Sequence, residues 1–90
     1  MDANLKNKID GIIFLIDPVL EDQGVPRNIK AALAKSKERL LREDPDISIS
    51  SAIYALDEIA NDINMPGHTR TEIWSIISEL EKLKEETKNK

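Results

Sequence analysis

The 90-residue chain resembles itself at an offset of 40 residues, and nothing else in it constrains the fold as tightly. Ile9, Ile13, Asp17, Asp22, Pro26 and Leu40 recur as Ile49, Ile53, Asp57, Asp62, Pro66 and Leu80. Phe14 recurs as Tyr54, Lys30 as Arg70 and Arg42 as Lys82. Each copy reads as an apolar-striped helix, a short turn, a proline and a second helix. The sequence therefore predicts two helical hairpins, about residues 3–42 and 45–88, within one domain spanning 1–90. Such a repeat fixes architecture and says little about function.

At about 100° per residue, Leu5, Ile9, Ile12, Ile13, Ile16, Val19 and Leu20 form one stripe of a first helix from about Ala3 to Glu21. Pro18 lies inside it, removes a backbone donor and crowds the Phe14 carbonyl, which predicts a kink. A second helix from Pro26 to about Arg42 carries Ile29, Ala32, Leu33, Ser36 and Leu40. A third, from Pro45 to about Asp62, carries Ile49, Ala52, Ile53, Leu56, Ile59, Ala60 and Ile63, with Asp44 as its N-cap. The fourth begins at Pro66 and buries Thr69, Ile73, Ile76, Ile77, Leu80 and Leu83, before a charged tail, Lys84 to Lys90, that is expected to fray. Prolines suit first helical positions, where their missing N–H costs nothing. Short turns make sequence neighbours antiparallel, so the expectation is an all-α, up-and-down four-helix bundle built from the two repeated hairpins. A stack of two HEAT-like hairpins is the alternative; such arrays need about three repeats to bury a continuous core, which favours the closed bundle.

Composition narrows the chemistry. There is no cysteine, which excludes disulfides, iron–sulfur clusters and thiolate zinc. The longest apolar run, Ile12 to Ile16, is far below the roughly 20 residues of a membrane span. The start, Met1-Asp2-Ala3-Asn4-Leu5-Lys6, lacks the features of a signal peptide, so a soluble cytoplasmic protein is expected.

The net charge of −4 argues against a general nucleic-acid coat, but the charge is uneven. Residues 1–23 sum to −3, 24–42 to +5, 43–65 to −6 and 66–90 to zero. The second helix could match its acidic neighbours, or present Lys30, Lys35, Lys37, Arg39 and Arg42 to RNA.

The three aromatics avoid the centres of their stripes. Phe14 and Tyr54 point roughly opposite the apolar face. Trp74 sits at a stripe edge four residues after Arg70, a spacing that places the guanidinium over the indole as a cation–π pair. Flank packing would explain these positions; so would a partner-binding patch, because Trp, Tyr and Arg dominate binding hot spots. The turn Asn61-Asp62-Ile63-Asn64-Met65 is rich in side chains that hydrogen-bond backbone, and reads as a turn network or as a polar recognition loop beside Arg70, Thr71 and Trp74. His68 is the single histidine, with Asp62 and Glu72 its nearest acidic neighbours in sequence. Carboxylate pairs Asp17 with Asp57, and Asp22 with Asp62, could approach a pseudo-twofold axis. Carboxylate metal bundles, however, use inward Glu and Glu-x-x-His motifs, which are missing here. No metal site, phosphate loop or cofactor is implied.

The segments Val25-Pro26-Arg27-Asn28-Ile29-Lys30, Ser51 to Ile59 and Asn61 to Trp74 resemble those of a small archaeal family, uncharacterised protein family 0147. The resemblance covers about residues 5–83, with Ser51 to Trp74 its most specific part. It implies a cytoplasmic helical bundle of unassigned function and supplies no catalytic residues. The family pattern lacks a proline at position 18 and is usually acidic there, so this chain departs from it at Pro18. Its motif includes the matches to Asn61, Asp62, Asn64, Pro66, Arg70, Thr71 and Trp74.

Without a nucleophile–base pair, metal constellation or phosphate loop, the chain reads as a non-enzymatic interaction module. It would bind an unidentified protein through Tyr54, Asn61, Asp62, Asn64, Arg70, Thr71 and Trp74, or bind itself as a homodimer. Ile47, Leu15 and Leu41, which lie off their stripes, add to that expectation. The alternative is RNA or ribosome association through the basic second helix.

Overall fold

A buried residue every three or four positions carries each helix of the computed structural model, which describes residues 3–42 and 44–88. Helices α1 (Ala3–Glu21), α2 (Arg27–Arg42), α3 (Pro45–Ile59) and α4 (Gly67–Lys88) follow one another. Helix α1 buries Ile9, Ile12, Ile13, Ile16 and Val19, and α2 buries Ile29, Leu33, Ser36 and Leu40. Helix α3 buries Ser48, Ile49, Ala52 and Leu56; α4 buries Thr69, Ile73, Ile76, Ile77, Leu80 and Leu83. Each fully buried aliphatic side chain contributes about 1.5–3 kcal/mol before entropy is counted. Val25 and Met65, which the stripes leave in the turns, close one end of this core.

The helices form a ring. Helix α1 packs on α2 and α4, and α3 packs on the same two, with no diagonal contact among the described residues. A stack of hairpins would set α1 on α3, so the arrangement is the closed all-α, up-and-down bundle, 39 × 20 × 17 Å overall. Both hairpin turns therefore lie at one end of the bundle.

The two turns are built alike. Val25 N–H donates to the Asp22 carbonyl (3.3 Å) and Met65 N–H to that of Asp62 (3.2 Å). Gly24 N–H donates to Asp22 Oδ1, and Asn64 N–H to Asp62 Oδ1, each at 2.9 Å. These are side-chain-closed turns of the kind aspartate favours. The Pro26 and Pro66 carbonyls then accept the first helical bonds, from Lys30 N–H at 3.1 Å and Arg70 N–H at 3.0 Å.

Several expectations are corrected. Helix α3 ends at Ile59 rather than Asp62, because Asn61 and Asp62 N–H groups bond three residues back, to Glu58 and Ile59, and tighten the last turn. Ile63 is thereby thrown outward and is 91% exposed instead of buried. Asp44 does stand at the N-cap of α3, but it caps without a side-chain hydrogen bond; its carbonyl accepts from Ile47 and Ser48 N–H. Pro18 lies inside α1, as the sequence implied, in the helix's final turn. Helix α4 is helical to Lys88, and the rest of the tail, residues 89–90, lies outside the described residues, as do Met1, Asp2 and Glu43.

Candidate functional site

The end of the bundle that holds the turns carries most of the polar groups singled out above. Asp22 and Asp62 each use one carboxylate oxygen within their own turn. The second oxygen of each reaches the other hairpin. Asn28 Nδ2 donates to Asp62 Oδ2 at 3.0 Å, and His68 Nε2 lies 3.2 Å from Asp22 Oδ2. Asn28 and His68 are themselves 40 residues apart, so the two contacts are reciprocal. The carboxylate pair the repeat pointed to thus meets two cross-hairpin donors, one at each turn. The Gly24 N–H, and after it His68, hold the Asp22 carboxyl below its ordinary range. The Asn28 amide, then the Asn64 N–H, do the same for Asp62. The histidine's acidic partner is Asp22, not Asp62 or Glu72, since antiparallel packing sets the start of α4 beside the end of α1. Among the described residues, no three His, Cys, Asp or Glu side chains cluster as metal ligands.

Five of the seven residues proposed for partner binding work inside this turn region. Arg70 donates from Nε to the Ala60 carbonyl (3.2 Å) and from Nη2 to that of Asp62 (2.9 Å). It satisfies carbonyls that the end of α3 leaves open. The guanidinium therefore ties α4 to the end of α3, a role that its spacing to Trp74 did not disclose. Asn61 Nδ2 donates to the Asp57 carbonyl, and Thr71 Oγ1 to that of Gly67. Asp62 and Asn64 close the turn.

Tyr54 and Trp74 differ from these five. Tyr54 is 74% exposed and Trp74 46% exposed. The Arg70–Ala60 contact sets the first turn of α4 beside the last of α3. One turn onward along α4 is Trp74, and one turn back along α3 is Asp57, followed by Tyr54. Both aromatics thus flank the outer side of the α3–α4 seam. Phe14, the counterpart of Tyr54, is 76% exposed on α1.

The basic residues of α2 divide between two sides. Lys37 Nζ pairs with Asp17 Oδ1 at 2.6 Å, and Lys30 lies near Asp22, both toward α1. Arg39 Nη1 donates to Ser51 Oγ at 2.6 Å, toward α3. Arg42 pairs with Glu38 at 3.3 Å. Lys35, Glu38, Arg39 and Arg42 line a shallow groove of about 290 Å³.

One feature escaped sequence reasoning. A groove of about 420 Å³ runs between α1 and α4 over Gly11, Ile12, Leu15 and Leu83. Lys8 bridges its rim to Glu86 at 2.6 Å, and Lys82 sits 3.7 Å from Glu79. The matching seam, between α3 and α2, is crossed by the Arg39–Ser51 bond. The signal was Gly11 standing where the second hairpin has Ser51.

Residues 1–83 match the pattern of an uncharacterised protein family, UPF0147. The chain belongs to UPF0147. A UPF0147 protein of Methanocaldococcus jannaschii is 51% identical, with 84% of each chain covered. One from Thermoplasma volcanium is 39% identical over 92% of both chains. The crystal structure of a UPF0147 protein from Thermoplasma acidophilum superposes with a TM-score of 0.80 at 36% identity, covering 87% of this chain and 94% of that one. That of a protein of unknown function gives 0.79 at 42% identity, covering 84% and 89%. The UPF0147 fold is thus shared closely, and no helix among the described residues is long and apolar enough to cross a membrane.

Proposed function

We propose that this UPF0147 protein is a cytoplasmic, non-enzymatic module that docks a protein partner through Tyr54 and Trp74 at the α3–α4 seam. One observation carries the reading: none of the chain's three aromatics enters the core, which is built of aliphatic side chains and Met65. Aromatic rings bury 150–250 Å² each and dominate interface energetics, so leaving Tyr54 outside and Trp74 only half covered forgoes stability that a bound partner restores. Asn61, Asp62, Asn64, Arg70 and Thr71 hold the shape of the surface beside them. The test is a pull-down of the tagged chain from native extract, with and without RNase. A partner that survives RNase and is lost in Tyr54→Ala/Trp74→Ala, while the variant still melts cooperatively, supports the module. Retention of every partner by that variant refutes it.

RNA association is a second reading, favoured by the groove that Lys35, Arg39 and Arg42 line. Binding of that kind falls steeply with salt, by about one counterion per phosphate contact. A partner set that vanishes with RNase and with Lys35→Glu supports it. Self-association would appear as a concentration-dependent mass in sedimentation.

A further inference from the structure

We propose that the outer face of α3 docks a basic amphipathic helix of a partner protein, an identification that rests on the Tyr54–Trp74 reading above. Ile47 and Tyr54 stand seven residues apart on α3 and are 59% and 74% exposed, so they form one outward apolar stripe. Glu58, eleven residues after Ile47, ends the same outward line with a carboxylate, and Asp57 lies on the α4 side of it. The charges that α3 itself carries are of one sign, Asp46, Asp57 and Glu58 with no Lys or Arg. The nearest cations from its neighbours lie elsewhere along it: Arg39 bonds Ser51, and Lys84 borders Asp46, Ser50 and Ile53. Helix α3 has no basic residue in its last turn, where Asp57 and Glu58 lie.

Those two carboxylates are both exposed, and neither has a Lys or Arg nitrogen within 4 Å among the described residues. Carboxylates at a helix C-terminus also oppose the helix dipole. Arg70, the cation at that end of α3, is directed to backbone carbonyls. An apolar stripe flanked by uncompensated negative charge is complementary to a helix whose apolar side is flanked by Lys or Arg. The same charge repels nucleic-acid phosphates and anionic lipid headgroups.

The test uses the full chain and an amphipathic Leu/Lys peptide of about 14 residues, four helical turns, with a Leu/Glu peptide of the same pattern as control. Binding is followed by calorimetry and by NMR shift mapping. The Leu/Lys peptide should bind, shift Ile47, Tyr54 and Trp74, and weaken with salt. Affinity should drop at least about tenfold in Asp57→Lys/Glu58→Lys and in Tyr54→Ala/Trp74→Ala, as for hot-spot truncation. Phe14→Ala should leave it unchanged. The charge reversal places cations at a helix C-terminus, which favours folding, so its loss of binding is interpretable.

Two results overturn the proposal in distinguishable ways. Equal binding of the Leu/Glu peptide, or insensitivity to the charge reversal, rejects the basic partner; if Tyr54→Ala/Trp74→Ala still weakens binding, the docking face itself stands. Insensitivity to the loss of both aromatics rejects the face and the basic partner together.

Discussion

Thr69 is fully buried, and its hydroxyl has no hydrogen-bond partner. Its counterpart one repeat earlier, Ile29, is equally buried and purely apolar. A buried hydroxyl without a partner costs on the order of 1–3 kcal/mol in lost hydration. Thr69→Val keeps the shape and removes that cost, so it should stabilise the bundle by about 1 kcal/mol. For a domain of this size that is a rise of roughly 4–8 °C in Tm. A scanning-calorimetry midpoint that falls instead would mean that the hydroxyl is satisfied in solution. Gly11 offers a second residue-scale gain. A Cβ there meets nothing within 4 Å, and glycine inside a helix costs about 1 kcal/mol relative to alanine. Gly11→Ala should therefore raise the urea midpoint without changing the slope, and a lowered midpoint would show that the α1–α4 groove is tighter than its geometry.

The scale of the element is where most of the sequence reading succeeded, and where its failures have a common cause. Period-3.6 stripes placed four helices because each has one buried face, and that signal is local. What was not legible depends on contacts between elements. The histidine's partner lies on the neighbouring hairpin turn and not among the residues adjacent to it in sequence, since α4 begins beside the end of α1. Ile63 continued the α3 stripe on paper, but the helix had already closed with three-residue bonds. The candidate site divided for the same reason: Tyr54 and Trp74 face outward, whereas Arg70 caps a neighbouring helix.

The turns themselves yield a pH prediction. Hydrogen bonds hold the Asp22 and Asp62 carboxyls below the ordinary 3.8. A depressed carboxyl stabilises the fold above its unfolded pKa, and that contribution disappears as pH falls through the lower folded value. The contribution of these two carboxylates should thus be constant above about pH 5 and be lost as pH falls below the ordinary value of 3.8. In Asp22→Ala/Asp62→Ala the protein should be weaker at neutral pH and its acid limb flatter. An unaltered acid limb in urea titrations would place the proton uptake elsewhere.

For the whole molecule, the two hairpins match in sequence yet do not pack equivalently. Helix α3 lies closely against α2 and α4, whereas α1 lies less closely against the same pair. The α1–α4 seam contains the groove over Gly11, and its rim is held by Lys8–Glu86, an exposed pair of the kind that contributes little in water. The matching α2–α3 seam is crossed by the part-buried Arg39–Ser51 bond. A ring of four helices opens first where its closure is weakest, and sub-global openings follow such differences in packing. Native-state hydrogen exchange should therefore find the amides of α1 the least protected among the helical cores. Those around Ile49 to Leu56 in α3 should exchange at least about tenfold more slowly, an opening free energy about 1.4 kcal/mol higher. Gly11→Leu, which fills the groove with apolar volume, should narrow that gap by slowing α1 alone. Equal protection of α1 and α3 in the unaltered chain would show that the ring opens as one cooperative unit, and that the groove is a surface feature without energetic consequence.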